Sequence, residues 1–275
     1  MPELPEVETV VRGLRAPLLG RTVRAMWHDW PGTIHSPDPT HFAARIAGQT
    51  FRAVERRAKY IVCALDCDLL VIHLKMTGRL YVAPSDAVHD ADRWLHFRLD
   101  LDNGCQLRFS DARKFGKVYL TDSLARIAPR LGPEPLADDF TAAALQARLA
   151  GRGRAIKALL LEQSVIAGVG NIYADEALFR AGIHPLRAAD SLTAAEIERL
   201  HSALQGALRA GIDSEGASVN WYRKPDGAPG EAHHHFFVYG RAGEPCIRCG
   251  QPIHKIRVAQ RGTHFCPACQ PATAG

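Results

Sequence analysis

The spacing of apolar residues changes character twice along the chain. Val7, Val10, Val11, Leu14 and Leu18 fall on one face of a helix, and Gly20 stands where its stop belongs. Between 22 and 120 the pattern shifts to short β-type runs, at 22–27, 60–65, 69–74, 94–101, 106–109 and 117–120. Asp102-Asn103-Gly104 between two of these runs is a hairpin turn signal. This many strands joined by turns predicts a β-sandwich or barrel with the leading helix packed on it. Leu131-Gly132-Pro133-Glu134-Pro135-Leu136 is a stiff break. Helical periodicity then covers 141–150, 155–163, 171–181 and 193–210. Thr193 and Glu196 fit a capping box, and Gly182 and Gly211 sit at expected helix stops. From about Tyr239 the chain is turn-rich and bears cysteines. The expected class is α+β in two lobes, divided as a β-domain at 1–132, a hinge and first helix at 133–151, a helical domain with a long loop at 152–238, and a metal module at 239–275.

Composition narrows the function classes only a little. With 47% hydrophobic and 23% charged residues the chain is ordinary for a globular protein. A net charge of +5 suits a polyanionic partner without demanding one. No apolar run approaches the roughly 18 residues of a membrane helix, and the head lacks a signal-peptide pattern, so a cytoplasmic chain with no membrane partner is expected. Nothing points beyond a monomer.

Cysteine spacing is more informative. Four of the seven cysteines lie in the last thirty residues, as Cys246-x-x-Cys249, a spacer of sixteen residues, and Cys266-x-x-Cys269. Each pair can chelate one ion and the spacer suits a hairpin, so four thiolates close a tetrahedral Zn2+ site with no position left open. Such a metal is structural, and its binding folds a module too small for a core of its own. His254 and His264 are rival ligands, while Cys63, Cys67 and Cys105 read as buried thiols.

Several other stretches admit both a chemical and a packing reading. Pro2 becomes a free secondary amine once Met1 is removed, and such an amine is partly unprotonated at neutral pH. Glu3 beside it can act as a general acid, although proline and carboxylates also suit a plain helix start. Gly168-Val169-Gly170-Asn171 precedes a helix and lets N–H groups approach an anion, with Asn171 as the cap. It lacks the Lys-Ser/Thr of a phosphate-binding loop, so a nucleotide cofactor is not expected. Two loops, 73–78 and 111–116, carry Met76 and Phe115, which suit apolar wedges or core packing, and Arg113, a fork of fixed donors. Lys59 ends a basic cluster that begins at Arg56. Gln260-Arg261-Gly262 falls at the tip of the expected hairpin, with Lys255 and Arg257 before it.

The opening string Pro2-Glu3-Leu4-Pro5-Glu6-Val7-Glu8-Thr9 resembles that of the formamidopyrimidine-DNA glycosylases, bacterial enzymes that excise oxidised purines. The two loops, the Gly168–Tyr173 segment and the cysteine module follow in that family's order. The resemblance implies a β-sandwich, a helix–two-turn–helix clamp and a zinc-ribbon hairpin. It also implies a DNA glycosylase and AP lyase of base excision repair acting on damaged double-stranded DNA. Pro2 would be the nucleophile and Glu3 the acid, with Glu6 positioning water or backbone. Lys59 would assist elimination, and Arg261 would contact phosphates and assist the second cut. His73, Met76, Arg113, Phe115, Arg152, Lys157 and Asn171 would meet DNA, and the loop at 214–231 would close over the extruded base. The sequence departs from the family at Lys75, Ala112 and Lys114, and Arg93-Trp94-Leu95-His96 does not reproduce the usual Lys-His-x-His. An endonuclease VIII-like enzyme for oxidised pyrimidines and a non-catalytic zinc-containing DNA-binding protein are the alternatives. The first usually has glycine where Leu4 stands.

Overall fold

The computed structural model describes residues 1–272, which form two compact units. The first joins Met1–Pro129 to Ser214–Glu231; the second joins Arg130–Asp213 to the residues from Ala232 onward.

The first unit opens with α1 (Leu4–Leu18), whose apolar face is buried, with Val7, Val10, Val11, Leu14 and Leu18 each at most 2% exposed. At about 1.5–3 kcal/mol per buried aliphatic side chain, this face pins the helix and hence its N-terminal turn. Then follow β1 (Val23–His28), β2 (Ile34–Ser36), α2 (Pro39–Ile46), β3 (Ala53–Arg57), β4 (Tyr60–Ala64), β5 (Leu69–His73), β6 (Gly78–Pro84), β7 (Leu95–Leu101), β8 (Cys105–Asp111) and β9 (Lys117–Thr121). They make a four-stranded sheet, β1-β7-β8-β6, and a five-stranded sheet, β2-β9-β5-β4-β3. All pairs are antiparallel except β2 with β9. Phe97, Leu99, Leu107 and Phe109 from one sheet and Ile61, Leu70, Ile72 and Val118 from the other share one buried core, so the unit is the expected sandwich. Asn103 and Gly104, with Gly104 at φ 77°, form the expected turn between β7 and β8.

The periodicity did not reveal β2, β3, β6 or α2. The sequence of β6 does not alternate cleanly, and its place is set by β8, with Gly78 opposite Asp111 and Pro84 opposite Cys105. That pairing lays the loop before β6 beside the loop after β8. In α2, Asp38 accepts the Thr40 and His41 N–H groups at 3.1 and 3.2 Å ahead of Pro39, a complete N-cap.

The second unit contains α3 (Ala142–Leu149), α4 (Ile156–Leu160), α5 (Asn171–Ala181), α6 (Ala194–Asp213) and a hairpin of β10 (His254–Val258) and β11 (Arg261–Phe265). The capping box forms as expected: Thr193 N–H donates to Glu196 Oε2 at 2.8 Å and Glu196 N–H to Thr193 Oγ1 at 3.3 Å. Gly182, at φ 69°, ends α5. Gly211 does not end α6. It lies inside the helix, where a Cβ would come within 2.5 Å of the Tyr173 ring, so this glycine serves helix packing. Gly132 and Pro133, expected within a stiff break, are bonded into this unit through Gly132 N–H to the Gln163 carbonyl (2.8 Å) and Ala167 N–H to the Pro133 carbonyl (3.0 Å). Among the described residues no helix is long and apolar enough to cross a membrane.

Candidate active site

The first turn of a helix leaves backbone N–H groups without intrahelical partners, and a nearby carboxylate can take them. In α1 that carboxylate is Glu6, which is 2% exposed. Its Oε2 accepts the Glu3 N–H at 2.8 Å and its Oε1 accepts the Ala217 N–H at 2.8 Å. Glu6 therefore positions backbone and ties the segment 214–231 to the turn carrying Pro2 and Glu3. The fit requires glycine at 216: its φ is 81°, and a Cβ would lie 2.9 Å from the Tyr222 ring and 3.0 Å from Glu6 Cγ. Tyr222 donates to the Glu215 carbonyl at 3.1 Å, and burial beside the Glu6 charge raises its pKa. Pro2 is buried and Glu3 is 3% exposed. Anchored in this way, 214–231 clusters with the sandwich rather than with the helical residues that precede it in sequence.

Lys59 sits in the two-residue turn between β3 and β4, next to Ala58 at φ 55°. Arg56 holds the turn, its Nη1 donating to the Ala58 carbonyl at 3.2 Å while its Nε meets Glu8 of α1 at 3.1 Å. Lys59 is thereby 5% exposed. His73, on β5, is also buried, with its ring against the edge of Tyr60 and its Nδ1 accepting the Lys75 N–H at 3.0 Å. Burial, then the Lys75 and Lys59 charges, push its pKa down to about 3.

The pairing of β6 with β8 brings together the three residues expected to fill a vacated stack. Arg113 Nη1 lies 3.0 Å from the Met76 sulfur and its guanidinium sits 4.6 Å from the centre of the Phe115 ring. Met76 is 43% and Phe115 47% exposed, so both project outward and neither packs in the core. Asp111, buried at the end of β8, shapes this loop. It accepts the Thr77 hydroxyl, the Arg113 N–H at 3.2 Å and the Gly116 N–H at 2.6 Å. A Cβ on Gly116 would meet the Phe109 ring at 2.3 Å, so the loop can close this tightly only on glycine.

In the second unit the expected DNA contacts separate. Arg152 is exposed, 3.8 Å from Glu162. Asn171 does not cap α5: Gly170 holds that position, and Asn171 Nδ2 donates to the Gly262 carbonyl at 2.9 Å. Lys157 is fully buried and cannot reach a phosphate in this arrangement. Its Nζ meets Asp175 Oδ1 at 2.6 Å, Thr263 Oγ1 at 2.7 Å and the Gly262 carbonyl at 3.3 Å. Lys157 and Asn171 thus converge on one carbonyl next to Arg261. Removing one partner of a buried ion pair strands the other charge, so Lys157→Met should cost about 3–5 kcal/mol in chemical denaturation. Lys157→Met with Asp175→Leu should recover most of that loss.

The hairpin turn consists of Ala259 and Gln260, at φ 47° and 61°, and Arg261 is the first residue of β11, paired with Val258. Both central residues of this tight turn need positive φ, which moves the tip one residue earlier than the sequence pattern placed it. Arg261 remains exposed.

The Cys246, Cys249, Cys266 and Cys269 sulfurs lie within 4.8 Å of one another. A tetrahedral ion with bonds of about 2.3 Å needs sulfurs about 3.8 Å apart. The Cys246–Cys269 and Cys249–Cys266 separations of 3.9 and 3.4 Å fit, and these four thiolates bind one structural zinc. His264 is not a ligand: its N–H and its ring face Asp175, at 2.9 and 3.4 Å. Cys63 is buried, its thiol pushed up to about 12 by burial, whereas Cys67 is exposed and Cys105 half-buried.

Comparison with known proteins resolves what this arrangement belongs to. The formamidopyrimidine-DNA glycosylase N-terminal domain matches residues 1–118, and the helix–two-turn–helix domain of the same enzymes matches 131–222. A zinc finger found in these glycosylases and in isoleucyl-tRNA synthetases matches 243–272. The chain belongs to the formamidopyrimidine-DNA glycosylase family. It is 51% identical over 274 residues to the formamidopyrimidine-DNA glycosylase of Chloroflexus aurantiacus, covering 98% of each chain. It is 48% identical to that of Symbiobacterium thermophilum, covering 100% of this chain and 91% of that protein. A Lactococcus lactis glycosylase mutant, solved with DNA containing Fapy-dG, superposes with a TM-score of 0.90 at 36% identity, covering 98% of this chain and 100% of that one. The Thermus thermophilus glycosylase gives 0.88 at 41%, covering 99% and 100%.

Within the glycosylase fold, sequence reasoning missed the buried carboxylates Asp111, Asp175 and Glu176. Asp111 shapes the Arg113 loop and Asp175 pairs with Lys157. Glu176 accepts the N–H groups of Phe237, Val238 and Tyr239 at 2.9–3.1 Å, and burial raises its pKa against those bonds. For Asp175 and Glu176 the available signal was an acidic pair inside the otherwise apolar run of α5.

Proposed function

We propose that the chain excises oxidised purines, 8-oxoguanine opposite cytosine and formamidopyrimidines, and cuts the DNA on both sides of the vacated site. The observation that carries this reading is the grip of Glu6 on Glu3 and Ala217, which fastens the Pro2–Glu3 turn and the segment 214–231 to each other.

After loss of Met1 the Pro2 nitrogen attacks C1′ of the damaged nucleotide. The C1′–base bond breaks, and the base departs with its electron pair and takes up the proton released by the Pro2 nitrogen. Glu3 then gives its proton to the sugar ring oxygen as the C1′–O4′ bond opens. The resulting iminium makes the 2′ proton acidic. Its removal expels the 3′ phosphate, and a second elimination expels the 5′ phosphate, leaving a one-nucleotide gap. Lys59 assists elimination from its buried turn, and Arg261 meets the phosphates on the zinc-held hairpin. Met76 and Phe115 fill the space left by the extruded nucleotide while Arg113 meets the acceptor edge of the unpaired cytosine. The segment 214–231 closes over the extruded base. Relatives crystallised with Fapy-dG and abasic-site DNA support this substrate class. The place of work is the bacterial cytoplasm, at the nucleoid, and affinity for duplex should fall steeply with salt.

Borohydride reduction tests the reading. A duplex with 8-oxoguanine opposite cytosine should yield a covalent adduct at the mature N-terminal Pro2 and faster base release than a thymine glycol duplex. No adduct would leave a non-catalytic DNA-binding protein, and the reverse preference would indicate an endonuclease VIII-like activity.

A further inference from the structure

Exposed aromatic rings of the first unit recur in pairs with cations. Arg98 lies 5.1 Å from the Trp27 ring centre, Arg113 4.6 Å from that of Phe115 and Lys114 Nζ 4.7 Å from that of Trp30. Arg98 also has Asp100 at 3.5 Å, which offsets its charge, and Arg113 with Phe115 belongs to the site already described. The Trp30–Lys114 pair has no role so far. Trp30 is 42% exposed and Lys114 is exposed, and among the described residues no carboxylate pairs with this lysine. Lys114 adopts φ 57°, a left-handed conformation unusual outside glycine, within the loop that presents Arg113 and Phe115. A second tie binds the Trp30 turn to the start of β9, directly after this loop, with Lys117 Nζ donating to the Gly32 carbonyl at 2.7 Å. A cation over an exposed ring gains about 0.5–1 kcal/mol, enough to orient the ammonium while leaving its charge available.

We propose that Lys114, held upright by Trp30, binds a backbone phosphate of the DNA strand opposite the lesion. This rests on the reading in which Arg113 meets the unpaired cytosine, since consecutive Cα atoms are about 3.8 Å apart and the Lys114 side chain is then within reach of the strand carrying that base. The contact adds affinity for duplex and none for a single strand. It also explains why position 114, between two residues that fill the stack, carries a charge.

The test compares Lys114→Ala, Trp30→Ala and Trp30→Phe with the parent chain on an 8-oxoguanine duplex and on the same lesion strand alone. One lost phosphate contact lowers the slope of log affinity against log salt by about 0.9, so between about 50 and 200 mM salt Lys114→Ala should lose about 3-fold less affinity than the parent. That change should appear on duplex only, Trp30→Ala should show part of it and Trp30→Phe almost none. An unchanged slope on duplex, or an equal change on both substrates, overturns the proposal. Failure of the parent chain itself to form a borohydride adduct would instead count against the function proposed above.

Discussion

Glu3→Gln should slow release of 8-oxoguanine by about 10²–10⁴-fold while leaving borohydride trapping at a preformed abasic site within a few-fold of the parent chain. That range is what positioned general acids contribute. An amide has the shape of the carboxyl group but cannot give up a proton to the departing ring oxygen. The bond from the residue-3 N–H to Glu6 is made by backbone, and the oxygen of a glutamine amide can accept the Glu6 N–H as the Glu3 side chain does, so the substitution leaves the head of α1 in place. At an abasic site the glycosidic bond is already gone, and Pro2 needs only an aldehyde to attack. Single-turnover base release on lesion duplex and trapping on abasic duplex measure the two steps separately. Equal losses in both would mean that Glu3 supports the fold of the turn and is not the acid.

The second large effect concerns the metal. Stripping zinc with a chelator, or Cys249→Ser, should lower affinity for lesion duplex by more than about 100-fold while the tryptophan emission spectrum stays unchanged. Structural zinc contributes about 10–16 kcal/mol in small metal-folded modules, comparable to the whole stability of a domain, so the hairpin cannot hold its shape without the ion. Arg261 then loses its position, and Gly262 no longer receives Lys157 and Asn171. All four tryptophans, at 27, 30, 94 and 221, belong to the first unit and report its integrity independently. The measurements are zinc content, expected near one per chain, fluorescence anisotropy of labelled duplex and intrinsic emission. A metal-free chain that binds DNA normally would show that the hairpin is dispensable for recognition.

Lys157 and Gly211 depart from what their local sequence suggests for one reason. Lys157 had the charge and the neighbourhood of a phosphate contact, yet its ammonium is sealed against Asp175, eighteen positions along the chain, and Thr263, more than a hundred positions away. Gly211 had the position of a helix stop, yet it makes room for a ring from another helix. Charge and spacing state what a side chain can do, whereas the partner that claims it arrives from elsewhere in the chain. The exposed Met76–Arg113–Phe115 cluster shows the opposite case, a grouping that the sequence left as two separate loops and that the β6–β8 register joined.

Local rules were enough for α1 with its buried stripe, the Thr193–Glu196 cap, the β7–β8 turn and the four zinc ligands, because each depends on residues within one or two turns or on a fixed chelate spacing. Tertiary structure alone decided that Glu6 clamps Ala217, that Asp111 and Asp175 are buried, that β6 lies beside β8, and that 214–231 joins the sandwich. A buried carboxylate is tolerable only when several donors converge on it, and those donors come from segments whose meeting no single stretch of sequence encodes.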